Sequence, residues 1–170
     1  RLLSAASDVY KRQVYILHRM AIYIELEDKT DYTGSCFDEL DAMLVNLKKE
    51  ALRYMNNHLI TEDDYYYEYM QMRARQCVIL KRIYADIIRL TTTPEQGKAL
   101  ADFIRQTADE FAEQNNVETL LSELERLHHH YEQQQLPVTR QEFENRSMLY
   151  HILEDMKAFL DIKKDFITAR

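Results

Sequence analysis

The 170-residue sequence contains only two glycines, two prolines, two cysteines and no tryptophan. Antiparallel sandwiches and barrels need many turn residues, so this composition argues against both architectures. A glycine-rich phosphate-binding loop is excluded for the same reason. The two cysteines, Cys36 and Cys77, form no Cys-x-x-Cys motif. They indicate buried thiols in a reducing compartment, and neither a disulfide framework nor a zinc site.

Basic residues are also too few to outweigh the acidic ones. Lysine and arginine together number 22 against 29 aspartates and glutamates, which gives a formal net charge of −7. A nucleic-acid-binding role through phosphate neutralisation is therefore disfavoured. No apolar run approaches the roughly 20 residues that a membrane-spanning helix needs. The most apolar early stretch, residues 14–26, is interrupted by His18, Arg19 and Glu25. If the parent is a membrane protein, we therefore expect its spanning part to lie upstream.

Residues 1–13 differ in character from the rest of the chain. The sequence begins with Arg1 in place of Met, and these residues resemble the translated text of a sequencing adaptor. Their apolar part is too short for a signal peptide. We therefore expect residues 1–13 to lie outside the fold, as an artefact, and residues 14–170 to form one helical domain.

The rest of the sequence is a series of helical patterns, in which apolar residues recur at three- and four-residue steps. The first three predicted helices cover about residues 14–28, 36–57 and 62–90, and the first could extend backward through residues 1–13. The fourth begins after Thr93, the fifth after Asn116 and the sixth after Thr139, and no strand-like alternation competes with these periods.

Helix start signals support these boundaries. Thr61 can cap the third helix, whose first turn is acidic. Thr93 with Gln96, and Thr139 with Glu142, have the spacing of a capping box. The connections are short, which favours antiparallel neighbours. The sequence therefore predicts an all-α, mostly up-and-down bundle of five to six helices with a single core.

The histidine run at residues 128–130 is the most conspicuous candidate for metal binding. Glu125 and His128 form a Glu-x-x-His pair, which di-iron bundles use twice. Neither His58 nor His151 has a glutamate three residues earlier, so no second pair exists. Successive histidines on a helix also point about 100° apart. We therefore expect no metal and no cofactor. No Ser/His/Asp or Cys/His arrangement has a local signature, so a non-enzymatic role is favoured.

Two clusters are candidates for an interaction surface. The first is a group of tyrosines, Tyr65, Tyr66 and Tyr69, which either pack in the core or offer an aromatic platform to a ligand. The second is a polar group at the start of the sixth helix: Glu144, Asn145 and Arg146.

The polar group has two further interpretations. Asn145 precedes Leu149 by four residues and leans toward the same face of the helix, so it either makes a buried hydrogen bond that fixes register or belongs to a contact surface. In the second interpretation, Asn145 and Arg146 are both partly exposed, and the Arg146 side chain reaches a neighbouring carboxylate.

Two segments together suggest a family. They are RYMNNHLITEDDYY at residues 53–66, with the helical pattern that continues to Cys77, and LPVTRQEFENR at residues 136–146, with the pattern that continues to Leu160. They resemble the C-terminal domain of the aromatic acid exporter family of Gram-positive bacteria, which is related to the fusaric-acid-resistance-like membrane proteins. The resemblance covers about residues 14–167.

The resemblance implies a multi-pass membrane exporter whose N-terminal half, missing here, spans the bilayer. The present domain would follow that half as a soluble domain on the cytoplasmic side of the cell membrane, and it would act in assembly or gating, with the membrane half or a second copy of the chain as its partner. The resemblance brings no catalytic or ligand residue with it.

The alternative is a soluble helical sensor or adaptor that binds a small aromatic acid or a protein. An acidic surface repels anions, so such a ligand needs a local basic pocket. Four arginines are available for that pocket: Arg53, Arg73, Arg75 and Arg82.

Overall fold

The structure, a computed structural model, describes residues 1–57, 64–111 and 117–169. The described residues form six helices and no strand. The helices are α1 (Leu2–Glu25), α2 (Ser35–Asn57), α3 (Tyr65–Ile87), α4 (Pro94–Glu110), α5 (Val117–Glu132) and α6 (Arg140–Thr168). The prediction of an all-α fold of five to six helices is confirmed.

Successive helices run in opposite directions, which gives the domain two distinct ends. At the end where α1 begins, here called the proximal end, the ring of Tyr10 stacks on Phe111 just after α4, with ring centroids 5.7 Å apart. At the opposite, distal end, the side chain of Lys29 donates a hydrogen bond to the carbonyl of Leu90, over 2.9 Å. The helices therefore form an up-and-down bundle, as predicted.

All six helices contribute to one hydrophobic core. The three- and four-residue spacing of apolar residues places one face of each helix inside. On α6 this face is a continuous row of side chains that are all buried: Leu149, Ile152, Leu153, Met156, Phe159 and Leu160. The prediction of a single core is confirmed.

Both predicted capping boxes are present. The Thr93 hydroxyl accepts a hydrogen bond from the Gln96 amide over 3.2 Å, and the Gln96 side chain accepts one from the Thr93 amide. Thr139 and Glu142 make the same reciprocal pair at the start of α6. Such a cap stabilises a helix by about 1 kcal/mol. The cap predicted at Thr61 lies outside the described residues.

The structure corrects the expectation that residues 1–13 lie outside the fold. Helix α1 begins at Leu2, and Ala5, Val9 and Gln13 are all buried. These positions follow one another at four-residue steps and continue to Leu17, which is also buried. They therefore lie on the face of α1 that packs into the core. The suggested adaptor origin of these residues stays a prediction.

A pair of substitutions on α3 tests the core. Leu80 is fully buried, so Leu80→Ala is expected to lower the free energy of unfolding by about 2–5 kcal/mol through loss of contacts and a residual cavity. Val78, two residues away, is 57% exposed, and Val78→Ala should change the same quantity by less than about 0.5 kcal/mol. Urea unfolding followed by circular dichroism measures both. Similar effects at the two positions would contradict the assigned packing face of α3.

Candidate functional site: the distal loops and a buried pair of cations

At the distal end, the polar group predicted at the start of α6 joins two connections of the chain. The Asn145 side-chain oxygen accepts a hydrogen bond from the backbone amide of Thr91, over 3.2 Å. The Arg146 guanidinium donates to the carbonyls of Tyr131 and Gln135, over 3.5 and 3.2 Å. The hydrogen bond of Asn145 is exposed, so it is not the buried bond of the first interpretation, and Arg146 reaches backbone carbonyls in place of the carboxylate of the second. Their role as a contact surface stays a prediction.

Large apolar side chains are exposed beside this polar group. Glu144, the third predicted residue, accepts a hydrogen bond from Arg140 over 3.0 Å on the surface of α6. Leu136 and Val138, in the connection from α5 to α6, are 83% and 88% exposed, and Phe143 is 62% exposed. We call Leu136, Val138 and Phe143 the distal apolar patch.

The predicted tyrosines form one cluster of rings on α3, in which the ring of Tyr65 lies 5.2 Å from that of Tyr66 and 6.3 Å from that of Tyr69. The rings of Tyr65 and Tyr69 both contact Phe166 of α6, with centroids 5.3 and 5.9 Å from it. Tyr66 also contacts Tyr54 of α2, at 5.7 Å. The structure therefore brings the three tyrosines together, between α2 and α6.

The arginines offered for an anion pocket do not converge on one pocket. Arg53 forms a salt bridge with Glu50 and Arg82 forms one with Asp155, while Arg75 is exposed. Arg73 alone is buried, with 4% of its surface exposed.

Arg73 is held in the core by two glutamines. Its guanidinium donates hydrogen bonds to the side-chain oxygens of Gln13 on α1 and Gln76 on α3, over 3.0 and 2.9 Å. Gln13 donates in return to the backbone carbonyl of Arg73, and Gln76 donates to the carbonyl of Phe159 on α6. Both glutamines are fully buried. This network links α1, α3 and α6 through uncharged partners.

A second cation, Lys163 of α6, lies close to Arg73 and is 7% exposed. Its ammonium group donates a hydrogen bond to the carbonyl of Phe111 and lies 4.5 Å from the centroid of the Phe111 ring. The Arg73 guanidinium lies 4.7 Å from that centroid and 4.9 Å from the centroid of the Tyr69 ring. Aromatic faces attract cations, so these rings compensate part of the cost of burying both charges.

The two cations have no acidic partner among the residues that the structure describes: no salt bridge there includes either of them. Burial, with the charge of Arg73 as a further cause, lowers the pKa of Lys163 to about 8. Burial also lowers the pKa of Arg73, which neighbouring Tyr69 partly opposes. A cavity of about 230 Å³ lies beside the pair, and Tyr65 and Phe166 contribute to its wall.

Sequence reasoning missed Lys163, although a signal was available. The apolar row of α6 passes through Phe159 and Phe166, and position 163 lies four residues after the first and three before the second. A charged residue on such a row is buried unless its helix turns away. Arg73 is likewise a charged residue in an apolar row, because Leu80 and Ile87 follow it at seven-residue steps.

The histidines and cysteines supply no site in the described residues. His128 and His129 both lie near Glu132, at 3.1 and 3.9 Å, while His130 lies 3.6 Å from Glu95 of α4. No group of three or more metal-ligating side chains converges within the described ranges.

Both thiols are buried. Burial raises the pKa of Cys36 and raises that of Cys77 to about 11, so both stay protonated at neutral pH.

A change at Lys163 is expected to alter how stability depends on pH. The pKa is about 8 in the folded chain and about 10.4 in an unfolded one, so between these values unfolding takes up a proton. This contribution to stability therefore rises with pH between about 8 and 10.4. Lys163→Met should remove this contribution. The melting temperature of the parent should therefore rise relative to that of the variant as the pH increases across this range.

Lys164 provides the control for this measurement. It is adjacent in sequence but partly exposed, and it pairs with Glu118 over 3.0 Å. Thermal melts of the parent, Lys163→Met and Lys164→Met at pH 7.5 and 10 measure the effect. The same pH trend in both variants would contradict the special burial of Lys163.

Comparisons with known proteins agree on one family. The family described as "Putative aromatic acid exporter C-terminal domain" matches residues 3–164. The "Uncharacterized protein YqjA" of Bacillus subtilis (strain 168) is 30% identical over 141 residues, which cover 83% of this chain and 44% of that protein. This chain thus corresponds to less than half of the relative's length.

A solved structure has the same fold. A "putative membrane protein from Clostridium difficile 630" superposes with a TM-score of 0.82 at 26% sequence identity, and the match covers 98% of both chains. No helix in the described part of the present chain is both long and apolar enough to cross a membrane. The chain therefore belongs to the family of the "Putative aromatic acid exporter C-terminal domain".

Proposed function

We propose that this chain is the cytoplasmic C-terminal domain of a membrane exporter, and that it acts in assembly or gating of the exporter without catalysing a reaction. The observation that carries this proposal is the family match over residues 3–164. The family is described as the C-terminal domain of an exporter, so another part of the exporter precedes it. In that arrangement, the preceding part joins the domain at the start of α1, at the proximal end.

The shape of the bundle suits a mechanical role. Helix α1 has 24 residues and is therefore about 36 Å long. It packs along its length into a core shared by all six helices, so a displacement at the proximal end moves the domain as one body. The distal end would then lie about one helix length from the membrane-spanning part.

The distal end offers the contact surface for assembly. The distal apolar patch exposes three large side chains to water, and such clusters mark contacts between proteins. The polar group Glu144, Asn145 and Arg146 lies next to it and fixes the two connections in place. We assign this surface to the contact between protomers of the exporter.

The sensor alternative has one observation in its favour. The buried cations Arg73 and Lys163 lie beside a cavity and have no salt bridge in the described residues. This observation supports ligand binding as a second function of the same domain.

The membrane side of the domain can be tested in the full-length exporter. We expect Val45→Cys to react with a membrane-impermeant maleimide in inverted membrane vesicles and to be protected in right-side-out vesicles, because residue 45 is 70% exposed and lies outside the distal apolar patch. Leu80→Cys, at a fully buried position, is the control that should stay unlabelled in both. Labelling of Val45→Cys only in right-side-out vesicles would place the domain outside the cell.

The contact between protomers has its own test. Phe143→Asp in the full-length protein is expected to shift the assembly toward smaller species in size-exclusion chromatography with light scattering. Because Phe143 is 62% exposed, the isolated domain should keep its free energy of unfolding within about 0.5 kcal/mol. Val45→Asp, at a position 70% exposed on α2, is the matched control. Equal effects at the two positions would argue against the distal apolar patch.

A further inference from the structure

We propose that Arg73 and Lys163 form a binding site for a terminal phosphate group in the cavity at the proximal end. The group is either free inorganic phosphate or the phosphate of a small monoester. This inference rests on the ligand binding proposed above as a second function and gives the chemical class of that ligand. It is independent of the assembly role, because binding is measured on this chain alone.

The charge of the two side chains is the first argument. Arg73 and Lys163 are only 4% and 7% exposed, and the acceptors of their hydrogen bonds are uncharged: two glutamine side chains and a backbone carbonyl. Burying a charge without a counter-charge is costly, and two like charges beside one cavity add repulsion. A terminal phosphate group carries up to two negative charges and can balance both cations. An anion with a single charge leaves one cation uncompensated.

An unused edge of the Arg73 guanidinium is the second argument. Its Nη1 atom donates to the side chains of both Gln13 and Gln76. The Nε–H group lies on the opposite edge of the planar guanidinium, and this group is buried without a hydrogen-bond partner among the described residues. Arginine binds phosphate oxygens through such an edge, and hydrogen bonds between ionised groups are among the strong ones. A phosphate oxygen in the cavity would therefore satisfy a donor that the fold leaves unpaired.

The directions of the available donors are the third argument. Arg73 on α3 and Lys163 on α6 line the cavity, and so do Tyr10 of α1 and Tyr69 of α3. The Lys163 ammonium has three protons, one of which it donates to the carbonyl of Phe111, and a tyrosine hydroxyl can also donate. A carboxylate has two oxygens in one plane, and one edge of a guanidinium can use both. A phosphate group has further oxygens outside that plane, so it suits donors that come from three helices.

The size of the cavity limits what can be attached to the phosphate. Its volume of about 230 Å³ lies below the range of about 300–1,000 Å³ found for pockets of drug-sized ligands. Inorganic phosphate or a monoester with a short organic part is therefore the appropriate scale, and nucleotides are too big.

Isothermal titration of the 170-residue chain with inorganic phosphate at pH 7 tests the site. Lys163 is mostly protonated at this pH, because its pKa is about 8. We expect saturable binding of one phosphate per chain. Lys163→Met and Arg73→Met should each weaken the affinity by about tenfold or more, because each removes a charged donor. No binding of phosphate or of glycerol phosphate at millimolar concentration would overturn the site.

Two neighbouring cations provide matched controls. Lys164 and Arg75 do not line the cavity, so Lys164→Met and Arg75→Met should leave the affinity within about twofold of the parent. Equal weakening by the control variants would show that phosphate binds elsewhere on the surface, which would overturn the assignment. Circular dichroism establishes that each variant is folded before titration. If Arg73→Met fails to fold, the comparison of Lys163→Met with Lys164→Met alone decides the result.

Other ligands test the chemical class. Acetate is a carboxylate with one charge, and dimethyl phosphate is a diester with one charge. Equal affinity for either of them would overturn the requirement for a terminal phosphate group. Glycerol phosphate, a small monoester, distinguishes the two sources of the group. Tighter binding of glycerol phosphate than of inorganic phosphate supports the site with a monoester as its ligand, and the reverse order supports it with free phosphate.

These titrations and the tests of the assembly role are independent. None of the binding results bears on the membrane side of the domain or on the contact between protomers. Failure of the phosphate site therefore leaves the assembly role standing, and failure of the assembly role leaves the phosphate site standing.

Discussion

The apolar rows of the six helices depend on one another, because none of these helices can shield its row from water alone. Every described helix contributes at least one fully buried residue, and on α5 this residue is Tyr131. Most of the stability of helices in proteins comes from such packing and not from intrinsic helix preference. The capping boxes at Thr93 and Thr139 add smaller local contributions and determine where α4 and α6 begin.

Polar groups within this core specify how the rows align. The network of Gln13, Arg73 and Gln76 reaches the backbone of α6, and each of its hydrogen bonds requires one relative position of the helices. An apolar core tolerates small sliding movements more readily than a core with directional bonds. At the distal end, the Tyr131 hydroxyl donates to the carbonyl of Gln96 and fixes α5 against α4 in the same way.

The two ends of the bundle differ in chemistry, and this difference organises the proposed functions. The proximal end combines aromatic rings with two buried cations and adjoins the start of α1. The distal end combines backbone-directed hydrogen bonds with exposed apolar side chains. A ligand that bound between Arg73 and Lys163 would contact α3 and α6, and both helices extend to the distal end. In the proposed arrangement, rigid helices connect the ligand site near the membrane with the contact between protomers at the distal end.

Periodicity and start signals in the sequence determined the helical class, the number of helices and the beginnings of α4 and α6, because these depend on residues close together along the chain. They did not determine whether residues 1–13 belong to the fold. The small and apolar side chains at positions 5 and 9 are buried only through contacts with helices that are distant in the sequence. The pairing of Arg73 with Lys163 was likewise decided by tertiary structure. These residues are 90 positions apart, and only the antiparallel packing of α6 on α3 brings their charges to one cavity.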